Sequence, residues 1–252
     1  MTRDEQVLLL SMLDPFLDSG LIGEVMEFVK GGKEATVFRC RAGRGAGGRG
    51  DHFYAAKVYR PRQYRRFRDD ADYQSGRVIL DSRARRAAKK RSGFGHEVHQ
   101  RLWVAAEFET QQVLFDAGVS VPRPIECSGD VIVMEWLGDE ESSAPQLKDV
   151  QLDARDAPRM FRQLIDDVAR MLALDRIHGD LSPYNVLVHH GRAMIIDFPQ
   201  AVDPRMNGNS YMLLYRDIDN LCRHFAGRYG VTNANPTRIA GQMWSGFVNG
   251  RL

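Results

Sequence analysis

From His178 to Asp203 the chain reads HGDLSPYNVLVHHGRAMIIDFPQAVD, and no other stretch limits the possible folds as much. Asp180 stands five residues before Asn185, and the apolar run Val186, Leu187 and Val188 follows at once. A tight loop with Asp180 at its apex therefore delivers Asn185 into a buried strand. After a turn at 189–192, Met194, Ile195 and Ile196 read as a second buried strand whose end presents Asp197. Two hard oxygen donors, Asn185 and Asp197, converge, and Asp180 is left to act on a proton. Phosphoryl transfer from Mg-ATP needs this division of labour: oxygen ligands for the metal, and a separate carboxylate that orients the attacking hydroxyl and accepts its proton. A single Asp or Asn in a loop is an ordinary turn former or cap. The information lies in the spacing of the three.

At 252 residues the chain can bury a sizeable core, enough for one bilobal domain or two small ones. No apolar run approaches the roughly 18 to 20 residues of a membrane span. Arg3, Asp4 and Glu5 precede only a short apolar run at Val7 to Leu10, so neither a signal peptide nor an anchor is expected. Cys40, Cys127 and Cys222 are odd in number and far apart, which argues against a disulfide framework and against structural zinc. A reducing cytoplasm is the expected compartment. The net charge of +2 conceals a local excess, since between Arg60 and Arg101 there are 13 Lys and Arg against 5 Asp and Glu. That segment is either a solvated loop or an electrostatic patch for RNA or a ribonucleoprotein surface.

Residues 4 to 19 read as a short amphipathic helix that Pro15 interrupts and Gly20 closes. Glu24 to Cys40 alternates on either side of Gly31-Gly32, which reads as two strands and a flexible turn where backbone N–H groups could approach phosphates. Residues 41 to 52 hold five glycines and read as a surface connection. In the strand FYAAKVY, Lys57 lies among apolar neighbours and demands an opposite charge, for which ATP phosphates and a helix glutamate, Glu107 or Glu109, would serve. A helix follows from about Glu97 to Gly118, then an extended connection at Val121 to Ile125. Next come the strand VIVMEWL, whose end at Met134 to Leu137 suits an adenine-contacting hinge, and a core helix opening at Pro158. Tyr211 to Tyr229 reads as a helix with Asp217 and Asp219 as surface or capping residues. About fifty residues remain after Asp197, too few for a large peptide-binding helical subdomain.

The order of GGKEATVF, AAKVY, a helix glutamate, VIVMEWLG, HGDLSPYNVLV and IIDFPQAVD resembles the RIO family of atypical protein kinases over nearly the whole chain. Gly32, Lys33 and Glu34 look like that family's phosphate-contacting turn. The Arg-rich stretch with Tyr73 and Gly76 looks like its loop before the first-lobe helix. Glu107 matches the ion-pair glutamate in placement, and Asp197-Phe198-Pro199-Gln200 stands where ordinary kinases have Asp-Phe-Gly. Pro183 departs from the acidic residue usual in the HGDLSEYN-like segment, and the glycine-rich insert at 43–50 is also atypical.

The resemblance implies an α+β, bilobal protein-kinase-like fold, with a β-rich lobe over 1–137 and a reduced helical catalytic lobe over 138–252. It implies ATP and Mg²⁺ as cofactors and Asp180 and Asp197 as catalytic residues. Nucleotide contacts fall on Gly32, Lys33, Glu34, Ala35, Val37, Lys57, Glu107, Met134, Glu135, Leu137 and Asn185, and the metal on Asn185 and Asp197. The implied reaction transfers the γ-phosphoryl group to serine, on a protein or on the chain itself, or to water through an aspartyl-phosphate. A role in small-subunit ribosome maturation comes with it, with the basic segment at 60–101 as the contact to a ribosomal subunit or RNA. An aminoglycoside-type small-molecule phosphotransferase and a nucleotide-gated, RNA-binding pseudokinase are the competing expectations.

Overall fold

In a computed structural model of the protein, the structure describes residues 2–32, 34–44, 52–60 and 93–252, with the backbone alone for 93–99. Lys33, most of the glycine-rich insert and the Arg-rich stretch at 61–92 lie outside these residues. The described residues fall into two compact units, one holding those up to 60 together with 93–108 and 123–137, the other 109–122 and 138–252.

In the first unit, Thr2 and Glu5 form a reciprocal capping box that starts helix α1, Arg3–Ser11. The single helix expected over 4–19 is two, because Pro15 sits at the first turn of a new helix, α2 (Asp14–Asp18), where its missing N–H costs nothing. Five antiparallel strands follow: β1 (Ile22–Gly31), β2 (Ala35–Ala42), β3 (Phe53–Tyr59), β4 (Pro124–Ser128) and β5 (Val131–Glu135), in the order β1-β2-β3-β5-β4. Strand alternation sorts the faces. Phe38, Cys40, Ala56, Val58, Val131 and Val133 pack with Leu9, Leu13 and Phe16 of the N-terminal helices. On the opposite face Val37, Lys57 and Ile132 stand abreast, paired across β2, β3 and β5. The connection expected at Val121 to Ile125 contributes β4 instead. Pro124 is its first residue and the strand is at the sheet edge, the two positions where a missing donor is tolerated.

Helix α3 spans Gly93–Asp116. Gly118, at φ 74°, halts it in the left-handed conformation that a glycine adopts without penalty. In the second unit, α4 (Asp156–Ala173) lays Met160, Phe161, Leu164, Val168, Met171 and Leu172 into one core. That core is shared with Leu214, Ile218, Leu221 and Phe225 of α5 (Ser210–Tyr229) and with Ala240 and Met243 of α6 (Pro236–Val248). The hairpin β6 (Val186–His189) and β7 (Arg192–Ile195) packs Val186, Ala193 and Ile195 into it. No helix among the described residues is long and apolar enough to cross a membrane.

Candidate active site

The first unit supplies a buried cation and its counter-charge. Lys57 projects from β3 with only 9% of its surface exposed, and its Nζ lies 2.7 Å from Glu107 Oε1 on α3. Glu107 is still more buried, and its other oxygen accepts from the Tyr59 hydroxyl. The Tyr59 ring is in turn held edge-on by Trp103 at 4.8 Å. A buried carboxylate satisfied at both oxygens fixes the ammonium at one point of the sheet face, which offsets the desolvation that would otherwise neutralise the lysine. The nearby Cys127 thiol is pushed up to about 11 by burial first and by the Glu107 charge second, so it stays protonated at neutral pH.

The turn between β1 and β2 is closed by Gly32 N–H donating to Ala35 C=O at 2.8 Å, and Arg60 N–H donates to Glu34 C=O at 2.9 Å. Val37 is the direct partner of Lys57 in the ladder. At the end of β5, Glu135 N–H donates to Arg123 C=O at 2.8 Å and Trp136 N–H to Phe53 C=O at 3.4 Å. Two amides of the Met134–Leu137 stretch are thus engaged within the unit, and Leu137 is buried.

The second unit carries the loop. Asp180 is exposed at its apex, as expected, while His178, buried beneath it, holds the base. His178 Nε2 lies 3.1 Å from Ile196 C=O and Nδ1 accepts from Asp180 N–H at 3.3 Å, so one tautomer satisfies both contacts. Asn185 Nδ2 donates to Asp180 C=O at 2.9 Å and lies 3.4 Å from its carboxylate. With the NH₂ group committed, Oδ1 is the amide atom available to a ligand. Ile196 N–H donates to Asn185 C=O at 3.0 Å, which continues the β6–β7 ladder and brings Asn185 beside the start of the Asp197 segment. Asp197 itself is exposed with φ at 74°, a left-handed conformation that costs a non-glycine residue about 1 kcal/mol or more. One amide oxygen and one carboxylate on adjacent backbone suit a hard, oxygen-seeking cation such as Mg²⁺. Among the described residues no group of three or more His, Cys, Asp and Glu could hold a metal, so the mixed amide–carboxylate pair is the candidate.

Asp217 is the residue that sequence reasoning misassigned. Expected at the surface or at a cap, it is 1% exposed, and its carboxylate accepts from Gly179 N–H at 2.8 Å and from Leu181 N–H at 2.9 Å, one on each side of Asp180. Burial pushes its carboxyl up to about 7, against the pull of those two amides and of Arg216. Arg216 also donates to Gly179 C=O, and Asn220 Nδ2 to Leu181 C=O at 2.9 Å. One face of α5 therefore fastens two residues of the loop, Gly179 and Leu181, one on each side of Asp180. Helical periodicity could have found it, since Asp217 neighbours Leu214, Ile218 and Leu221 on the buried stripe.

Three expected site residues, Asp180, Asn185 and Asp197, come together in the second unit, where His178, not expected at the site, lies beneath them, and Lys57, Glu107, Val37 and Ala35 fall in the first. Lys33 lies outside the described residues.

A family profile described as the RIO domain matches residues 36–238. The chain is 32% identical over 197 residues to the RIO-type serine/threonine-protein kinase Rio1 of Haloferax volcanii, covering 77% of this chain and 60% of that protein. It is 36% identical over 138 residues to the Rio1 of Thermoplasma acidophilum, covering 55% and 70%. Among solved structures, the Rio2 kinase-ADP/Mg²⁺-phosphoaspartate complex from Chaetomium thermophilum superposes with a TM-score of 0.66 at 23% identity, over 96% of this chain and 66% of that one. The chain thus spans under two thirds of the Haloferax relative.

Proposed function

Because the chain belongs to the RIO domain family, we propose that it is an ATP-dependent atypical kinase that moves the γ-phosphoryl group to a serine hydroxyl, its own included, or to water. The observation that carries this reading is the loop. An exposed carboxylate, Asp180, sits on a backbone fastened on both sides by Asp217, and the neighbouring Asn185 donates its NH₂ group to the Asp180 C=O, which leaves the amide oxygen as its acceptor for a ligand. Lys57, pinned by Glu107, gives the phosphates a fixed positive charge. Asn185 and Asp197 are the residues that would hold Mg²⁺, which when bound neutralises charge on the phosphate oxygens.

In the forward reaction the serine oxygen bonds to the γ-phosphorus, the bond from that phosphorus to the bridging oxygen breaks, and ADP leaves with the electron pair. Asp180 orients the hydroxyl and takes its proton. In the hydrolytic branch, an Asp197 oxygen bonds to the γ-phosphorus as the bond to the bridging oxygen breaks and ADP leaves, and water then cleaves the aspartyl-phosphate to phosphate and the free carboxylate, with Asp180 as proton acceptor. The relative solved with ADP, Mg²⁺ and phosphoaspartate supports this branch by analogy.

Asp180→Asn tests the assignment: turnover should fall about 10²- to 10⁴-fold, on the scale of losing a general base, while Mg-ATP still binds. Wild-type turnover in that variant would remove Asp180 from the mechanism. The charge excess between Arg60 and Arg101 further supports contact with ribosomal RNA. Replacing Arg83, Arg85 and Arg86 by Ala should then weaken small-subunit RNA binding and flatten its salt dependence. Unchanged binding would dismiss that contact.

A further inference from the structure

Tyr184, on the loop between Asp180 and Asn185, is a large aromatic side chain that the fold leaves 61% exposed. A single exposed ring is ordinary on a protein surface. The backbone beneath this one is held with unusual completeness. Pro183 C=O accepts from Lys148 N–H at 3.3 Å, and Tyr184 C=O accepts from Gln146 Nε2 at 2.6 Å. The segment that supplies both donors is itself tied down. Gln146 bridges to Leu187 of β6, Val188 N–H donates to Pro145 C=O at 2.9 Å, and Leu147 is fully buried. From the end of α5, Arg228 donates to Lys148 C=O and the Tyr229 hydroxyl to Val150 C=O at 2.8 Å. The Lys148 ammonium lies over the Tyr184 ring, 5.3 Å from its centroid, and bonds both oxygens of Asp149 at 2.7 Å. A cation thus steadies one face of the ring, and the rest is offered to solvent.

Asn185, the next residue, brings its Nδ2 within 3.4 Å of the Asp180 carboxylate, and consecutive Cα atoms are about 3.8 Å apart. The ring and the carboxylate therefore rise from the same few residues, and both are exposed. An extended acceptor advances about 3.3 Å per residue, so a chain whose serine hydroxyl reaches Asp180 brings a residue one or two places away onto the ring. On the reading that Asp180 is the base for a serine hydroxyl, we propose that Tyr184 is a specificity-determining residue that packs against a large apolar side chain flanking the acceptor serine, with Lys148 as the positioning residue that holds the ring. The nearby charges select the class. The exposed Asp180 carboxylate repels an acidic flanking residue, and a basic one meets a ring already engaged by the Lys148 ammonium. Lys148 is itself neutralised by Asp149, which leaves an uncharged aromatic face beside half-buried Pro183.

The test uses short peptides with one serine in an alanine–glycine frame. Positions one and two places from the serine are varied in turn through alanine, phenylalanine, leucine, glutamate and lysine, and the ratio of kcat/KM between peptides is read on each variant. A ratio taken on one enzyme cancels a general loss of activity, which is all that a structural role would produce. Wild type should favour phenylalanine or leucine over alanine about 5- to 30-fold, on the scale of partly burying one apolar side chain. Tyr184→Ala should abolish that preference and Tyr184→Phe should keep it. Lys148→Ala should reduce it about two- to fivefold, and Lys148→Arg should restore it. Tyr184→Glu, which puts a carboxylate where the ring stood, should turn the preference to lysine. A wild type indifferent to the flanking residue, an undiminished ratio in Tyr184→Ala, or an apolar preference kept by Tyr184→Glu would each overturn the proposal, and the last decides the matter even if Tyr184→Ala fails to fold. If wild type phosphorylates no peptide while it still hydrolyses ATP, the acceptor site falls and the nucleotide chemistry stands. If it does neither, the kinase reading itself falls.

Discussion

Asp217→Asn separates two effects that one carboxylate combines. In the wild type the carboxyl is raised from its usual 3.8 to about 7, with burial as the leading cause. A carboxyl raised in the fold binds its proton more tightly folded than unfolded. Its contribution to stability is therefore fully present below about pH 4 and is lost as pH rises through about 7. The displacement corresponds to roughly 4 kcal/mol between those limits, a large share of a marginal fold's total of about 5 to 15. Catalysis should run the other way. The ionised carboxylate holds Gly179 N–H and Leu181 N–H with charge-assisted bonds, so Asp180 is best fixed above about pH 7. Wild-type Tm should fall while kcat rises across pH 5 to 8. Asparagine keeps the shape, offers one acceptor oxygen for two amides, and does not titrate. At pH 5, where the wild-type carboxyl is itself protonated and offers one carbonyl oxygen, the variant's stability should lie within about 1 kcal/mol of the wild type's. Its Tm and its kcat should both be flatter in pH than the wild type's, with kcat at pH 8 reduced about tenfold or more. Calorimetric melts and initial rates at five pH values give both curves. Wild-type pH profiles in Asp217→Asn would refute the claim that this residue fastens the loop.

Gly179→Ala should be severe for a separate reason, since φ there is 79° and a Cβ would meet Gln200 C=O at 2.6 Å. Left-handed strain alone is worth about 1 to 2 kcal/mol, so a melting curve like the wild type's would show that the loop and the 198–202 segment move apart freely. Glu107→Gln should lower stability by about 3 kcal/mol or more, because it leaves a buried ammonium facing a neutral amide. It should also raise the ATP KM at least tenfold. Unchanged Tm and KM would mean that Lys57 finds its counter-charge elsewhere.

Much of the site could be read from the sequence because its members are close along the chain. Asp180, Asn185 and Asp197 lie within one loop and one hairpin, and the apolar runs between them set the strand lengths that present them. Lys57 was legible for a different reason: an ammonium in an apolar strand announces a missing partner. Which glutamate answered it was not legible from burial, since Glu107 and Glu109 lie on one helix, and the choice came from resemblance. Asp217 stayed hidden because its partners, Gly179 and Leu181, are 38 and 36 residues away and are backbone amides, which leave no mark on side-chain pattern. β4 was missed because a proline at an edge strand looks like a proline in a connection until the pairing strand is known.

The acids around the loop, the hairpin and Lys57 differ in burial, and the buried ones each hold a neighbour in place. Glu107 and Asp217 are nearly closed to water, and each spends both oxygens within the protein. Asp167, equally buried, takes Ser120 N–H at 3.4 Å and the Gln163 amide. Gln163 in turn bonds both the N–H and the C=O of Ala193, and Ser120 C=O accepts from Ile195 N–H at 2.7 Å. That network clamps β7, the strand whose continuation is Asp197. Asp180 and Asp197, by contrast, are exposed. On the proposed reading Asp180 accepts a proton, and each fixed amide bond to such a carboxylate would lower its basicity. Rigidity has to be supplied by other acids, placed one layer deeper and charged with holding backbone. Glu107 does this for the cation at 57, Asp217 for the loop at 180 and Asp167 for the strand leading to 197.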